Sequence, residues 1–291
     1  MKDFSFWKEY EGASEGSGRS EKIWLINPDT NQIGLFKYKK DSKTTDHASE
    51  CIASDLAGLL GISCAKVEIG TYLDQEGSMS YNIVRHEGTI LIEGIYCISS
   101  RYRSYNADKL VNEEDNSRYS LEMIRTVLEP FHLWKNFLTI PIFDFLIGNT
   151  DRHQSNWALI MESDKESISP LYDNSSSLCA YVAESKIESY LGKDICLWKS
   201  LVDTKSKSLI RIRNNDLKQP THLEVIKYLQ SNYLKETESV VQKVIETMTD
   251  KAICDILDKY YEVLSKEKKE LIRRFILSKV QLMNEVYRKS I

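Results

Sequence analysis

At 291 residues, with 42% hydrophobic and 28% charged side chains, the chain has an ordinary globular make-up and room for one large domain or two lobes. A net charge of −4 argues against a general nucleic-acid-binding surface, and the longest apolar stretch, "FLTIPIFDFLIG", is too short and too interrupted to cross a bilayer. The start "MKDFSFWKEYEG" lacks the apolar core of a signal peptide, and six scattered cysteines without a C-x-x-C pair read as reduced thiols, so the cytoplasm is the expected compartment.

In chain order, "GASEGSGRSEK" comes first, with Gly12, Gly16 and Gly18 among Ser14, Ser17 and Ser20. Glycines of this kind let backbone N–H groups converge on phosphate oxygens, and a flexible linker has the same composition. From Ile23 to Ile98 the pattern is short strands with one helix. "KIWLIN" and "IGLFKYKK", separated by "PDTNQ", predict a hairpin. "TTDHASECIASDLAGLLGI" predicts a helix with Thr44, Thr45 and Asp46 as cap candidates and Gly61 at its end. "AKVEIGTYL", "SMSYNIVRH" and "TILIEGIYCIS" read as three further strands. Beyond Arg101 the chain turns mainly helical, with long amphipathic segments from Ser120 to Leu138 and from His222 to the end.

Chemistry concentrates in "FDFLIGNTDRHQSNWALIM", where two apolar runs enclose a polar loop. Transfer of a γ-phosphoryl group needs a carboxylate to orient or deprotonate the acceptor hydroxyl and oxygen ligands for Mg²⁺. Asp151 and Asn156 stand five positions apart, the spacing of base and metal-binding asparagine in a protein-kinase catalytic loop. Asp144 and Asn149 share that spacing but fall in and just after the apolar run, where packing is expected. "WALIM" then reads as a strand, and "ISPLYDNSSSL" brings Asp173 back as a second metal ligand or as a simple turn former. Upstream, Lys37 follows a strand, and Glu50 lies on the helix face of Ala53, Ala57 and Leu60, where a charge needs a partner. The bland alternative places Lys37 in a solvated cluster with Lys39 and Lys40.

"GNTDRHQSNWALI", "PLYDNSSSL" and the order of "GLFKYKK" and "HASECIASDLAGLLGI" ahead of them make the chain resemble the HipA-like serine/threonine kinases, toxins of bacterial toxin–antitoxin modules and their relatives. The resemblance spans most of residues 14–180. It implies an α+β, two-lobed protein-kinase-like fold: a small β-rich N-lobe over residues 1–98 and a larger, mainly helical C-lobe over 99–291. It implies ATP and Mg²⁺ as cofactors, Asp151 as catalytic base, and Asn156 and Asp173 as Mg²⁺ ligands. Lys37 is then the phosphate-contacting lysine, Glu50 its ion-pair partner, and Arg152 and His153 supports of the loop. Ser17 and Gly18 belong to the nucleotide loop, with Ser14, Ser17 and Ser20 as autophosphorylation candidates, and backbone groups of Glu93, Gly94 and Ile95 receive adenine. The implied partners are a protein substrate and a helix-turn-helix antitoxin or small N-subdomain-like protein. That subdomain is expected to be absent or encoded elsewhere, because the glycine-rich loop begins near residue 12. A small-molecule or lipid kinase of related fold would use the same residues, with Arg101, Arg103, Arg211 and Arg213 as candidates for an acidic acceptor. A catalytically inactive pseudokinase or interaction module is the reading from another class.

Overall fold

The structure, a computed structural model, describes residues 1–11, 21–84, 88–162 and 165–288. The first part is a six-stranded sheet built from β1 (Lys2–Asp3), β2 (Lys8–Glu9), β3 (Lys22–Ile26), β4 (Ile33–Tyr38), β5 (Val67–Tyr72) and β6 (Gln75–Tyr81), with α1 (Asp46–Leu59) between β4 and β5. Its spatial order is β1-β5-β6-β4-β3-β2. Side chains alternate between the faces of a strand, so register decides what each face carries. Phe36 pairs with Met79, and both join Phe4, Trp7, Leu25, Tyr72 and Tyr81 in an aromatic core on one face. Lys37 pairs with Ser78 and so falls on the opposite face, toward α1. The β3–β4 hairpin matches the sequence reading.

α1 ends at the expected glycine: Gly61 has φ +62, the left-handed conformation that lets a helix terminate. Glu50 is buried with Ala53, Ala57 and Leu60 on the inward face. Thr45 occupies the N-cap position without a side-chain capping bond.

Three strand and helix expectations needed correction. β6 begins at Gln75, because Leu73 and Asp74, both at positive φ, make a tight hairpin turn without any glycine to announce it. "TILIEGIYCIS" is a strand only in its first half, β7 (Ile90–Glu93); it continues as α2 (Gly94–Arg101), which buries Cys97 and Ile98. After the small hairpin β8 (Tyr105–Asn106) and β9 (Val111–Asn112), the predicted helix from Ser120 to Leu138 is broken into α3 (Leu121–Leu128), a 3₁₀ turn and α4 (Trp134–Phe137). Pro130 in that turn and His132 at φ 56 account for the break.

The polar-loop region runs from the buried helix α5 (Thr139–Ile147), closed by Gly148 at φ +66, to the hairpin β10 (Ala158–Glu162) and β11 (Lys165–Ile168). β10 also pairs with β7, Ala158 opposite Glu93, so the segment joining the two lobes is tied to the strand that follows the loop. α6 (Glu184–Leu191), α7 (Ile195–Lys199), α8 (His222–Thr247), α9 (Asp250–Leu257) and α10 (Lys266–Arg288) complete the helical lobe. The expected lobe boundary at residue 98 falls inside α2. One hydrophobic core crosses it, joining Ile52 and Leu56 of α1 to Phe143, Leu146 and Ile256. Among the described residues all six cysteines are free, and no helix is long and apolar enough to cross a membrane.

Candidate active site

The register that turns Lys37 toward α1 puts its ammonium between two carboxylates. Lys37 Nζ donates to Glu50 Oε1 at 2.8 Å and to Asp173 Oδ1 at 3.1 Å. The Glu50 side chain is 1% exposed and that of Lys37 16%, whereas Asp173 keeps 38% of its side chain open to the cleft. Burial alone would lower the Lys37 ammonium, but the charges of Asp173 and Glu50 outweigh it and hold the lysine above its ordinary range. For Asp173 burial acts upward, yet Lys37 and the Ser175 hydroxyl hold its carboxyl down at about 2. Burial lifts the Glu50 carboxyl, against the opposing pull of Lys37. Lys37 is therefore not part of a solvated lysine cluster.

The polar loop after α5 is tied by its own backbone. Asp151 N–H donates to Asn149 Oδ1 at 3.0 Å, His153 N–H to the Asp151 carbonyl at 2.9 Å, and Asn156 N–H to the His153 carbonyl at 2.9 Å. Asn156 Nδ2 donates to the Asp151 carbonyl at 2.7 Å, which leaves its amide oxygen as the atom it can offer a cation. The rival pair does pack: Asp144 and Asn149 are buried, and Asn149 Nδ2 donates to Asp144 at 3.1 Å.

Arg152 fastens this loop to Asp173. Its guanidinium, 1% exposed, forks onto Asp144 at 2.7 and 3.0 Å. It also donates to the carbonyls of Asn156 at 2.8 Å and Tyr172 at 2.9 Å and to Asn174 Oδ1 at 2.6 Å. One planar group thus fixes Asn156 relative to both neighbours of Asp173. Asp173 itself sits at φ 51, a strained setting that aspartate tolerates better than most residues. His153 accepts the Ser155 N–H on Nδ1 at 3.2 Å.

These elements frame an interlobe cleft of about 650 Å³, with Lys37, Glu50, Ile95, Asp151, His153 and Asp173 in its wall. Burial lifts the Asp151 carboxyl above its ordinary value; neighbouring His153 opposes this and the negative charge of Asp173 adds to it. Asp151 and Asp173 therefore feel each other across one cavity. Glu93, Gly94 and the buried Asn156 are not among the residues lining it, and the Gly94 N–H is engaged by the Trp157 carbonyl at 2.8 Å. Arg101, Arg103, Arg211 and Arg213 also stand outside the lining; among the described residues, buried Nε and Nη1 of Arg211 have no acceptor. Ser14, Ser17, Gly18 and Ser20 lie outside the described residues.

Sequence reasoning missed Asp46 and His47, which line the same cleft, and the Glu76 carboxylate that meets His47 Nε2 at 2.9 Å. Helical spacing carried the signal for one of them, since His47 precedes Glu50 by three positions on the same face. Asn174, a partner of Arg152, had no such signal because the contact is set by the tertiary fold.

A lysine–glutamate pair under a curled sheet, facing two carboxylates across a cleft from a helical lobe, defines a two-lobed kinase-like protein. The comparisons narrow the class. Residues 14–256 match the family model described as the HipA-like C-terminal domain, and the chain belongs to that family of HipA-like kinases. The serine/threonine-protein kinase CtkA of Helicobacter pylori strain J99 is 23% identical over 190 residues, a match that covers 60% of this chain but only 55% of CtkA. The crystal structure of the proinflammatory kinase CtkA from Helicobacter pylori aligns with a TM-score of 0.82 at 18% identity, over 99% of this chain and 97% of that one. A chain from the Shewanella oneidensis MR-1 toxin–antitoxin complex of HipA, HipB and operator DNA aligns with a TM-score of 0.59 at 12% identity, over 98% of this chain and 67% of that one.

Proposed function

We propose that this chain is an ATP- and Mg²⁺-dependent kinase that transfers the γ-phosphoryl group to a serine or threonine hydroxyl of a protein. The observation that carries the reading is the joining of Lys37 to both Glu50 and Asp173 in a cleft that also holds Asp151. Lys37, oriented by buried Glu50, neutralises phosphate oxygens. Asp151 orients the acceptor hydroxyl and takes its proton as the new P–O bond forms. Burial raises its pKa, which makes it a stronger base than an ordinary aspartate.

The donor set suits magnesium: a carboxylate open to the cleft on Asp173 and a hard amide oxygen on Asn156, both registered by Arg152. When bound there, the ion neutralises the charge of the β- and γ-phosphates. The family relationship extends the proposal to a HipB-like protein as regulatory partner, which co-purification with a helix-turn-helix protein encoded beside this chain would test.

The central experiment uses labelled ATP and the Asp151→Asn variant. Nucleotide binding is expected to persist while transfer falls by ~10² or more, as for the loss of a positioned base. Unchanged transfer removes the role assigned to Asp151. Label is expected in residues 12–22 of the chain itself or on proteins of a cell extract. ATP consumption without any labelled protein would point instead to a small-molecule acceptor.

A further inference from the structure

We infer that Lys279, Ser206 and His222 form a buried positioning relay that holds the Asn149 carbonyl, and through it Asp151, in place; this rests on the kinase reading above. The chain of contacts fixes its own donors. His222 Nε2 lies 2.8 Å from the Asn149 carbonyl oxygen, which can only accept, so Nε2 carries the hydrogen. His222 is 1% exposed, and burial pushes its imidazole down to about 3, so the ring is neutral and Nδ1 is a bare acceptor. Ser206 Oγ, 2.9 Å away, donates to that nitrogen. The same oxygen accepts from Lys279 Nζ at 2.9 Å.

Asn149 passes the constraint on. Its side chain accepts the Asp151 N–H at 3.0 Å and donates to Asp144 at 3.1 Å, so a shift of its peptide shifts the peptide of Asp151. A second bond ties the relay together, from the His222 N–H to the Ser206 carbonyl at 2.8 Å.

Space filling does not explain Lys279. The residue is fully buried, with Nζ facing the rings of Phe145 at 4.7 Å and Phe275 at 5.2 Å. An ammonium in such surroundings is costly, and methionine would fill the same volume without that cost. What lysine adds is the N–H that orients the Ser206 hydroxyl. Lys279 lies on α10, beyond residue 256 where the family match ends, so this support of the loop comes from outside the matched region.

The test compares wild type with Ser206→Ala, Ser206→Thr and Lys279→Met in steady-state phosphate transfer and in hydrogen exchange at the Asp151 amide. For Ser206→Ala and Lys279→Met, kcat is expected to fall about 10-fold with KM for ATP within about twofold, and Ser206→Thr, which keeps the hydroxyl, to restore it. Exchange at Asp151 should quicken in the same two variants. Unchanged kcat with unchanged exchange overturns the relay, as does an equal loss of ATP affinity and rate that Ser206→Thr does not rescue. If wild type transfers no phosphate at all, the kinase reading fails by itself, and exchange at Asp151 still decides the relay.

Discussion

Arg152 is the residue on which the geometry of the site most depends, because its one guanidinium bonds Asp144, Asn156, Tyr172 and Asn174 at the same time. Arg152→Leu leaves Asp144 buried without its counter-charge, and urea unfolding should register a loss of about 3–5 kcal/mol. Lysine is a poor substitute, since a point charge cannot span a carboxylate and two carbonyls at once. The carboxylates make an equally definite statement about pH. The folded pKa of Asp151 is raised above the ordinary 3.8, so its proton-accepting form is lost as pH falls through a midpoint above that value. The kcat profile should show this as an acidic limb displaced upward from that of a normal aspartate, and absent in Asp151→Asn. For Asp173 the sign is opposite. Its folded pKa is depressed from 3.8 to about 2, so the stability it contributes is complete above 3.8 and disappears as pH falls toward 2. Acid unfolding of wild type against Asp173→Asn should differ in that window.

At the scale of elements, the site was legible where local pattern and tertiary need coincide. Glu50 on an apolar helix face announced a buried partner, and Gly61 announced the end of α1. The Asp151–Asn156 spacing was readable too, although it is the exposure of Asp151 against buried Asp144 that separates it from the look-alike Asp144–Asn149, both asparagines being buried. What escaped is what local pattern does not encode. Isoleucine, tyrosine and cysteine after Glu93 suit a strand or a helix equally well, and the change at Gly94 is dictated by a neighbour distant in sequence. A Cβ at Gly94 would lie 2.2 Å from the Trp157 ring. Because that indole is buried and its Nε1 is bonded to the Tyr119 hydroxyl at 2.9 Å, it has little room to yield. Gly94→Ala should therefore destabilise the fold by about 1–3 kcal/mol in thermal or urea unfolding, with the strain concentrated where β7 leads into α2. The far wall of the cleft, Ala107 to Leu110, carries no chemical motif and was invisible for that reason.

Across the whole molecule, the two lobes are joined more tightly than a hinge requires. α1 shares its core with α5 and α9, and Asp55 on its outer side accepts from Lys259 Nζ at 3.0 Å and the Tyr260 hydroxyl at 3.2 Å. Glu50 is thus carried by a helix rooted in the helical lobe, so the Lys37–Glu50 pair also reports how the sheet sits on α1.

The first nine residues guard both edges of the sheet. A single short ribbon supplies the outermost strand on each side of the six-stranded sheet, Lys2–Asp3 on one flank and Lys8–Glu9 on the other, while Phe4 and Trp7 between them roof its aromatic face. Cutting that ribbon away would bare two rows of unsatisfied amides together with a greasy surface, the combination that recruits neighbouring molecules. A chain shortened by those residues should scatter light and sediment as oligomers, even though none of the residues lining the cleft has been touched.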